Sequence, residues 1–309
     1  MARALAWVGF AVLLVLFLLA GIGCGGPRND TLRLVFHSDR DGDDDIYMME
    51  RDDSGVRRLT NAPGRDYEAA SSRDGRTLVF VSERADGPGG QLYLMSADGS
   101  GVRRLTLSSG GDARVVDDHP QWSPDGLTVT FQRTTIPAEG QPDADLWLID
   151  IETRDEIRLT ETPDVWDSTP SFAANGHSIL FESSRDGDFD LYRLHLETMK
   201  VVQLTDEVGR DVEASESPNG RAIAFASERD GDFEIYVMDA AGRNVRQLTE
   251  NDVDDRCPHW SPDGRWLSFY SERDGNPEIY LMDPDGTDQR RLTSNPGRDE
   301  APNWVIVRP

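Results

Sequence analysis

Apolar and polar side chains alternate in short bursts along this chain, and the bursts recur. Six times an aliphatic residue is followed two positions later by phenylalanine: Leu34/Phe36, Leu78/Phe80, Val129/Phe131, Ile179/Phe181, Ile223/Phe225 and Leu267/Phe269. A period of two places such residues on one face of a strand. A second burst, aliphatic then aromatic, ends on Tyr47, Tyr93, Trp147, Tyr192, Tyr236 and Tyr280, and Asp-Gly or Asn-Gly turns of the kind tight hairpins use separate the runs. A Leu-Thr pair closes each copy at Thr60, Thr106, Thr160, Thr205, Thr249 and Thr293, at intervals of 46, 54, 45, 44 and 44 residues. The clearest copy reads Cys257-Pro-His-Trp-Ser-Pro-Asp-Gly264, Trp266-Leu-Ser-Phe269, Ser271-Glu-Arg-Asp-Gly275, Ile279-Tyr-Leu-Met282 and Arg291-Leu-Thr293. Each copy predicts a four-stranded antiparallel meander.

One such sheet cannot bury both its faces, and radial stacking around a channel is the usual solution for units of this length. Six copies predict an all-β fold, a six-bladed β-propeller over residues 31–309. The first copy starts at its second strand, Leu32 to Phe36, while the chain ends on an unmatched first strand, Ala301 to Pro309. The C-terminal strand is therefore expected to complete the first blade and close the ring, which removes an open edge. Deleting the last nine residues should then destabilise the whole ring.

Residues 1–30 stand apart from the repeats and read as a targeting device. Arg3 gives a positive start, Ala4 to Ala20 carries no charge, and small residues lead to Cys24. This resembles a bacterial lipoprotein signal over residues 1–23 with Cys24 as the lipidated residue, although Gly21 stands where an aliphatic is usual. An uncleaved membrane anchor is the alternative, since the run approaches the roughly 18–20 residues that span a bilayer. Either places the propeller outside the cytoplasm, in the bacterial envelope. A tether at 24–30 reaches about 20 Å from the membrane when extended. Cys257 is the one other cysteine. With Cys24 lipidated there is no internal disulfide, and stability must come from packed blades. A formal net charge of −25 argues against nucleic acid as a partner and against anionic headgroups as a contact, leaving the N-terminus as the membrane attachment.

At Trp122-Ser-Pro-Asp-Gly126, Trp260-Ser-Pro-Asp-Gly264, Ser227-Glu-Arg-Asp-Gly231 and Ile235-Tyr-Val-Met-Asp239 the chain resembles the TolB-type, WD-like propeller repeat, over about 280 residues and all six blades. The resemblance implies a propeller that binds an envelope protein, as the periplasmic TolB protein binds the peptidoglycan-associated lipoprotein. TolB carries a further α/β domain before its propeller, and this chain is expected to resemble the propeller alone. A repeat of this kind specifies fold far better than function.

In a four-stranded blade the connections from strand two to three and from strand four to the next blade lie on one face, here called the top. An aspartate stands five residues before the Trp position in every copy: Asp66, Asp117, Asp167, Asp211, Asp255 and Asp299. These six are expected to ring the top of the central channel, either pinning blade to blade through backbone N–H groups or converging on a cation or a partner's basic group. Calcium is the candidate ion there, with no other cofactor expected. The Ser-x-Arg-Asp-Gly turns supply Arg40, Arg84, Arg185, Arg229 and Arg273 beside Asp41, Asp86, Asp186, Asp230 and Asp274, expected as turn caps and links between neighbouring blades. The run Asp39 to Asp45 is dense enough in carboxylates to consider calcium, but it departs from EF-hand spacing. Two insertions, Leu107 to Val116 and Thr134 to Asp145, are expected as adjacent top-face loops that bias recognition to blade three. Blades two and five have Ser71 and Glu216 where others have Trp122, Phe172, Trp260 and Trp304.

The five histidines, His37, His119, His177, His195 and His259, occupy unlike positions in their copies, and neither a nucleophile elbow nor a phosphate-binding glycine loop is present. No catalytic residue is assigned. The expected function is a monomeric, non-enzymatic, anchored scaffold that binds a protein or peptide, with a basic group, at its top face. The alternatives are a metal-dependent polysaccharide lyase of the oligogalacturonate-lyase type, similar propellers of seven blades, and a purely structural envelope role.

Overall fold

The computed structural model describes residues 31–84, 89–107 and 113–308. The expected signal, tether and Cys24 lie outside the described residues, as does Asp86. Among the described residues no helix is long and apolar enough to cross a membrane.

Six four-stranded antiparallel sheets follow one another in chain order. Blade one contains β1 (Thr31–Ser38), β2 (Asp45–Glu50) and β3 (Arg57–Arg58); blade two, β4 (Asp66–Ser71), β5 (Thr77–Ser82), β6 (Gln91–Ser96) and β7 (Arg103–Arg104). Blade three contains β8 (Arg114–Trp122), β9 (Thr128–Ile136), β10 (Asp143–Asp150) and β11 (Glu156–Arg158); blade four, β12 (Asp167–Phe172), β13 (Ser178–Ser183), β14 (Asp190–His195) and β15 (Lys200–Gln203). Blade five contains β16 (Asp211–Glu216), β17 (Ala222–Ser227), β18 (Glu234–Asp239) and β19 (Arg246–Gln247); blade six, β20 (Asp255–Trp260), β21 (Leu267–Ser271), β22 (Glu278–Met282) and β23 (Arg290–Arg291). The last strand, β24 (Asp299–Val307), pairs antiparallel with β1, so blade one has the order β24-β1-β2-β3 and the ring is closed by the chain's two ends, as the orphan strand predicted.

The repeated residues have repeated tasks. All six phenylalanines are fully buried. In five blades the tyrosine opposite packs against the phenylalanine with ring centroids 5.5–5.9 Å apart. Apolar clusters straddle blade junctions: Val35, Ile46 and Met48 pack with Ala69, Leu78, Phe80 and Met95 of the next blade. Each burial is worth roughly 1.5–3 kcal/mol per side chain, and the sharing makes neighbouring blades mutually dependent. The threonine of each Leu-Thr accepts an N–H from the third strand through Oγ1, at 2.8–3.1 Å, which holds the short fourth strand in place.

Blade three departs from the pattern. Among the described residues its insertions are in part extended, because β8, β9 and β10 continue upward as a paired sheet in which Arg114 meets Ile136 and Asp143 meets Thr135, with residues 137–142 forming the loop between β9 and β10. The Val115-Val116 and Thr134-Thr135 pairs are β-branched and favour extension. Residues 108–112 of the first insertion lie outside the described residues.

Candidate functional site

Each predicted aspartate begins, or stands within, the innermost strand of its blade, and none has exposed surface. Each carboxylate meets a guanidinium at 2.5–3.0 Å: Asp66 with Arg84, Asp117 with Arg133, Asp167 with Arg185, Asp211 with Arg229, Asp255 with Arg273, and Asp299 with Arg40. Every pair lies within one blade, so the expected arginine links between neighbouring blades are corrected for these residues. The reason is geometric, since the first strand and the end of the second are hydrogen-bonded neighbours. The same six guanidinium groups lie over the phenylalanine and the tyrosine or tryptophan of their blade, 4.6–5.7 Å from the ring centroids. Blade three has no Ser-x-Arg-Asp-Gly turn, and Arg133 on β9 fills the place. An arginine at most partly exposed, held by a carboxylate and two aromatic faces, thus joins the core of each blade to its inner strand.

Links between blades do occur, by other residues. Arg65 of blade two donates to Asp44 of blade one at 2.7 Å, while within blade one Arg298 donates to Asp39 at 3.2 Å. This disperses the carboxylates of the Asp39–Asp45 run: Asp41 accepts the Tyr47 hydroxyl at 2.5 Å, and Asp45 accepts Thr60 at 2.9 Å and Arg58. Among the described residues no group of three or more His, Cys, Asp or Glu side chains is placed to hold a metal ion.

The side chains that face the channel stand two residues after the aspartates, a position the sequence reading passed over. In each blade the pairing of the innermost strand slips at this point, as between Tyr67/Val81 and Ala70/Val79, so that two residues oppose one. The first residue of each bulge is left-handed: Glu68 (φ 51), His119 (φ 50), Thr169 (φ 44), Glu213 (φ 58), Cys257 (φ 52) and Ala301 (φ 50). Left-handed non-glycine residues cost on the order of 1–3 kcal/mol each and persist only where surroundings hold them. Four of the bulge N–H groups are held by a side-chain oxygen of the preceding blade. His119 donates to Glu68 at 2.8 Å, Thr169 to Gln132 at 3.4 Å, Glu213 to Glu182 at 3.2 Å and Cys257 to Glu213 at 2.7 Å.

Together these residues line a cavity of about 200 Å³ on the channel axis, with His37 and Tyr270 from second strands completing its wall. Burial opposes charge on His119, but Glu68, 3.1 Å from its Nδ1, and Asp118 outweigh it and raise its pKa. Burial, with Glu68 and Asp117 nearby, pushes the Asp118 carboxyl up to about 7. Burial lowers the pKa of His259. The Cys257 thiol is raised well above its ordinary value by burial and by Glu213, the opposite of what a nucleophilic cysteine needs. Trp122 and Trp304 lie beneath, each donating its indole N–H to a carbonyl of the preceding blade, at Ala70 (3.2 Å) and His259 (3.0 Å).

A closed ring of six blades around a mouth of polar bulge residues defines a six-bladed β-propeller with an axial cavity, a scaffold type used for protein interaction. The model of the TolB beta propeller domain matches residues 24–136 and 209–307, and the chain belongs to that family. Among curated proteins none matches the sequence. The structure is similar to TolB from Acinetobacter baumannii, with a TM-score of 0.74 and 20% identity over 88% of this chain. This chain covers 66% of that TolB, just under two thirds of its length. It is similar to a chain of the nidogen/laminin complex, with a TM-score of 0.68 and 9% identity, covering 90% of this chain and 100% of that one. It is also similar to oligogalacturonate lyase from Vibrio parahaemolyticus, with a TM-score of 0.55 and 13% identity over 84% and 92% of the two chains. At these identities the likenesses concern the fold.

Proposed function

We propose that this protein is a non-enzymatic, monomeric scaffold of the bacterial envelope that binds a protein or peptide partner at the channel mouth on its top face. The observation that carries the reading is the ring of left-handed bulge residues, which aims six different side chains into one cavity while the aspartate–arginine pairs fix the frame around it. Strain repeated at one depth in every blade, and filled by Glu, His, Thr, Glu, Cys and Ala, gives an asymmetric recognition surface on a symmetric frame. The upward extension of blade three adds a wall beside the mouth. No resident cofactor takes part in this reading. The family's periplasmic relatives support an envelope location, with attachment through lipid on Cys24.

The experiment is capture from detergent-solubilised envelopes with wild type and with a variant carrying Glu68→Gln, His119→Asn and Gln121→Ala, after matching their melting curves. Asparagine tolerates the left-handed backbone at position 119. A partner retained by wild type and lost by the variant is expected; identical capture by both rejects the mouth as the binding face. Separately, Cys24→Ser is expected to release the chain from the membrane fraction and abolish labelling by a fatty-acid probe. Retained labelling rules out Cys24 as the lipid site.

A further inference from the structure

The wall of the axial cavity is rich in carboxylates, with His119 held against one of them. Glu68, Glu213 and Glu300 line it, and among the described residues no arginine or lysine does. Arg256, the guanidinium bonded to Glu213 at 2.7 Å, lies outside the lining, stacked on Phe233 at 4.5 Å. Acidic residues gathered on a surface would say little. Here a second feature also asks for a donor. His37 is 7% exposed and lines the same cavity; its Nε2 lies 3.5 Å from a Glu300 oxygen, and its Nδ1 has no hydrogen-bond partner among the described residues. In the neutral ring that donates Nε2–H to Glu300, Nδ1 is an acceptor, and an unmet buried acceptor is costly. The protein groups that touch the glutamates use only part of their capacity, since each carboxylate offers about four lone-pair sites. Glu68 receives the backbone N–H and ring of His119, Glu213 receives Arg256 and the Cys257 N–H, and Glu300 faces His37 and Arg298. What is missing from the cavity is a cation with several N–H donors. At about 200 Å³ the space is smaller than the roughly 300 Å³ at which sites for drug-sized ligands begin, so it suits one side chain.

We propose that the axial cavity is a guanidinium-binding site that accepts one arginine side chain of the partner, between Glu68, Glu213 and Glu300 with an N–H directed to His37 Nδ1. This rests on the channel mouth being the binding face and names what enters it. Five donors in a planar fork match two or three carboxylates and a ring nitrogen better than the single point charge of an ammonium.

The test titrates the full chain calorimetrically with N-acetyl-arginine amide, its citrulline counterpart and agmatine, in 0.15 M and 0.5 M salt. Citrulline keeps the shape and loses the charge, and high salt screens attraction to the acidic surface at large. Arginine amide is expected to bind in both salts, with citrulline weaker by about tenfold or more. His37→Phe and Glu68→Gln should each weaken arginine amide by a similar factor, whereas Glu207→Gln on the exposed surface should leave it unchanged. Absence of binding, equal binding of citrulline, or indifference to both cavity substitutions overturns the site. Agmatine binding far more tightly than arginine amide overturns a peptide source. If the partner of the capture experiment is lost from the mouth variant while arginine amide fails to bind wild type, the guanidinium site falls and the binding face stands.

Discussion

At the scale of single residues, glycines at equivalent hairpin positions separate backbone strain from collision. Gly75 and Gly126 both turn the first hairpin of their blades, with φ +72 and +75. A Cβ on Gly126 would meet nothing within 4 Å, whereas on Gly75 it would stand 1.6 Å from the carbonyl oxygen of Ile306 in the closing strand. Gly126→Ala should cost about 1 kcal/mol, the ordinary charge for a left-handed alanine, and Gly75→Ala clearly more, because a backbone oxygen must move. Urea midpoints of the two variants check the order. The aspartate–arginine pairs give a second expectation. Asp211 is 1% exposed and Arg229 17%, so Arg229→Met leaves a buried carboxylate without its cation and should cost about 3 kcal/mol, part of which Asp211→Asn in the same chain recovers. Equal losses in the single and double variants would contradict the pairing. The six aspartates were legible in the sequence as a position, but their partners were not. Asp66 and Arg84 lie 18 residues apart, and Asp299 and Arg40 lie 259 apart, so only the sheet brings them together. The bulge ring was missed because no single residue type fills it. The signal was its frame, two after the aspartate and directly before Ala69, Pro120, Pro170, Ala214, Pro258 or Pro302.

At the scale of elements, the strands were legible because period-two patterning and turn chemistry agree in every copy, and the closing strand because one copy lacked what the chain's end supplied. Its removal is the sharpest test of the ring. Residues 301–309 contain Trp304 and Val305, 4% and 0% exposed, and most of the pairing with β1. Deleting them opens β1 as an edge beside Phe36 and Leu34 and removes the carbonyl against which Gly75 packs. A loss of about 5 kcal/mol or more, comparable with the stability of many domains, is expected, with the whole far-ultraviolet signal melting earlier in one transition. An unchanged melting curve would refute closure as a source of stability. Blade three shows where pattern reading reached its limit. Added length was visible, but long loops and longer strands add residues in the same way, and β-branched runs decide between them only weakly. Replacing residues 135–143 by Asn-Gly, which rejoins Thr134 to its partner Ala144, should leave melting nearly unaltered and weaken partner capture. Capture at wild-type strength would remove blade three from the interface.

At the scale of the whole molecule, burial has been imposed on acids that the sequence presents merely as abundant. One equivalent position on the third strand is buried in every blade, as Asp45, Gln91, Asp145, Asp190, Glu234 and Glu278, close to the aspartates of the inner strands. Burial pushes Asp145 and Asp190 up to about 6 and Glu234 up to about 7, with Asp143, Asp188 and Asp255 respectively adding to the effect, and it also raises Asp45, Asp66 and Glu182. A carboxyl whose pKa is higher folded than unfolded binds its proton preferentially in the native state. Between the unfolded value near 4 and the folded values of 6–7, the native state therefore holds more protons, and stability falls as pH rises through that window. His119, also raised, acts in the same sense, and so does relief of self-repulsion in a chain of net charge −25. Two opposing groups limit the gain. His259, buried with a lowered pKa, resists acid below its ordinary range, and Glu300, whose pKa is lowered against burial by His37 and Arg298, loses its contribution on further acidification. The melting temperature should accordingly climb from pH 8 to about pH 5 and turn downward at lower pH. Glu234→Gln removes one titrating group while keeping an acceptor for the Asn251 N–H, so it should raise the melting temperature at pH 8 and flatten the climb. Calorimetric scans of both chains between pH 4 and pH 8 decide the matter, because a wild type more stable at pH 8 than at pH 5.5 would mean that the buried acids are ionised in the native state.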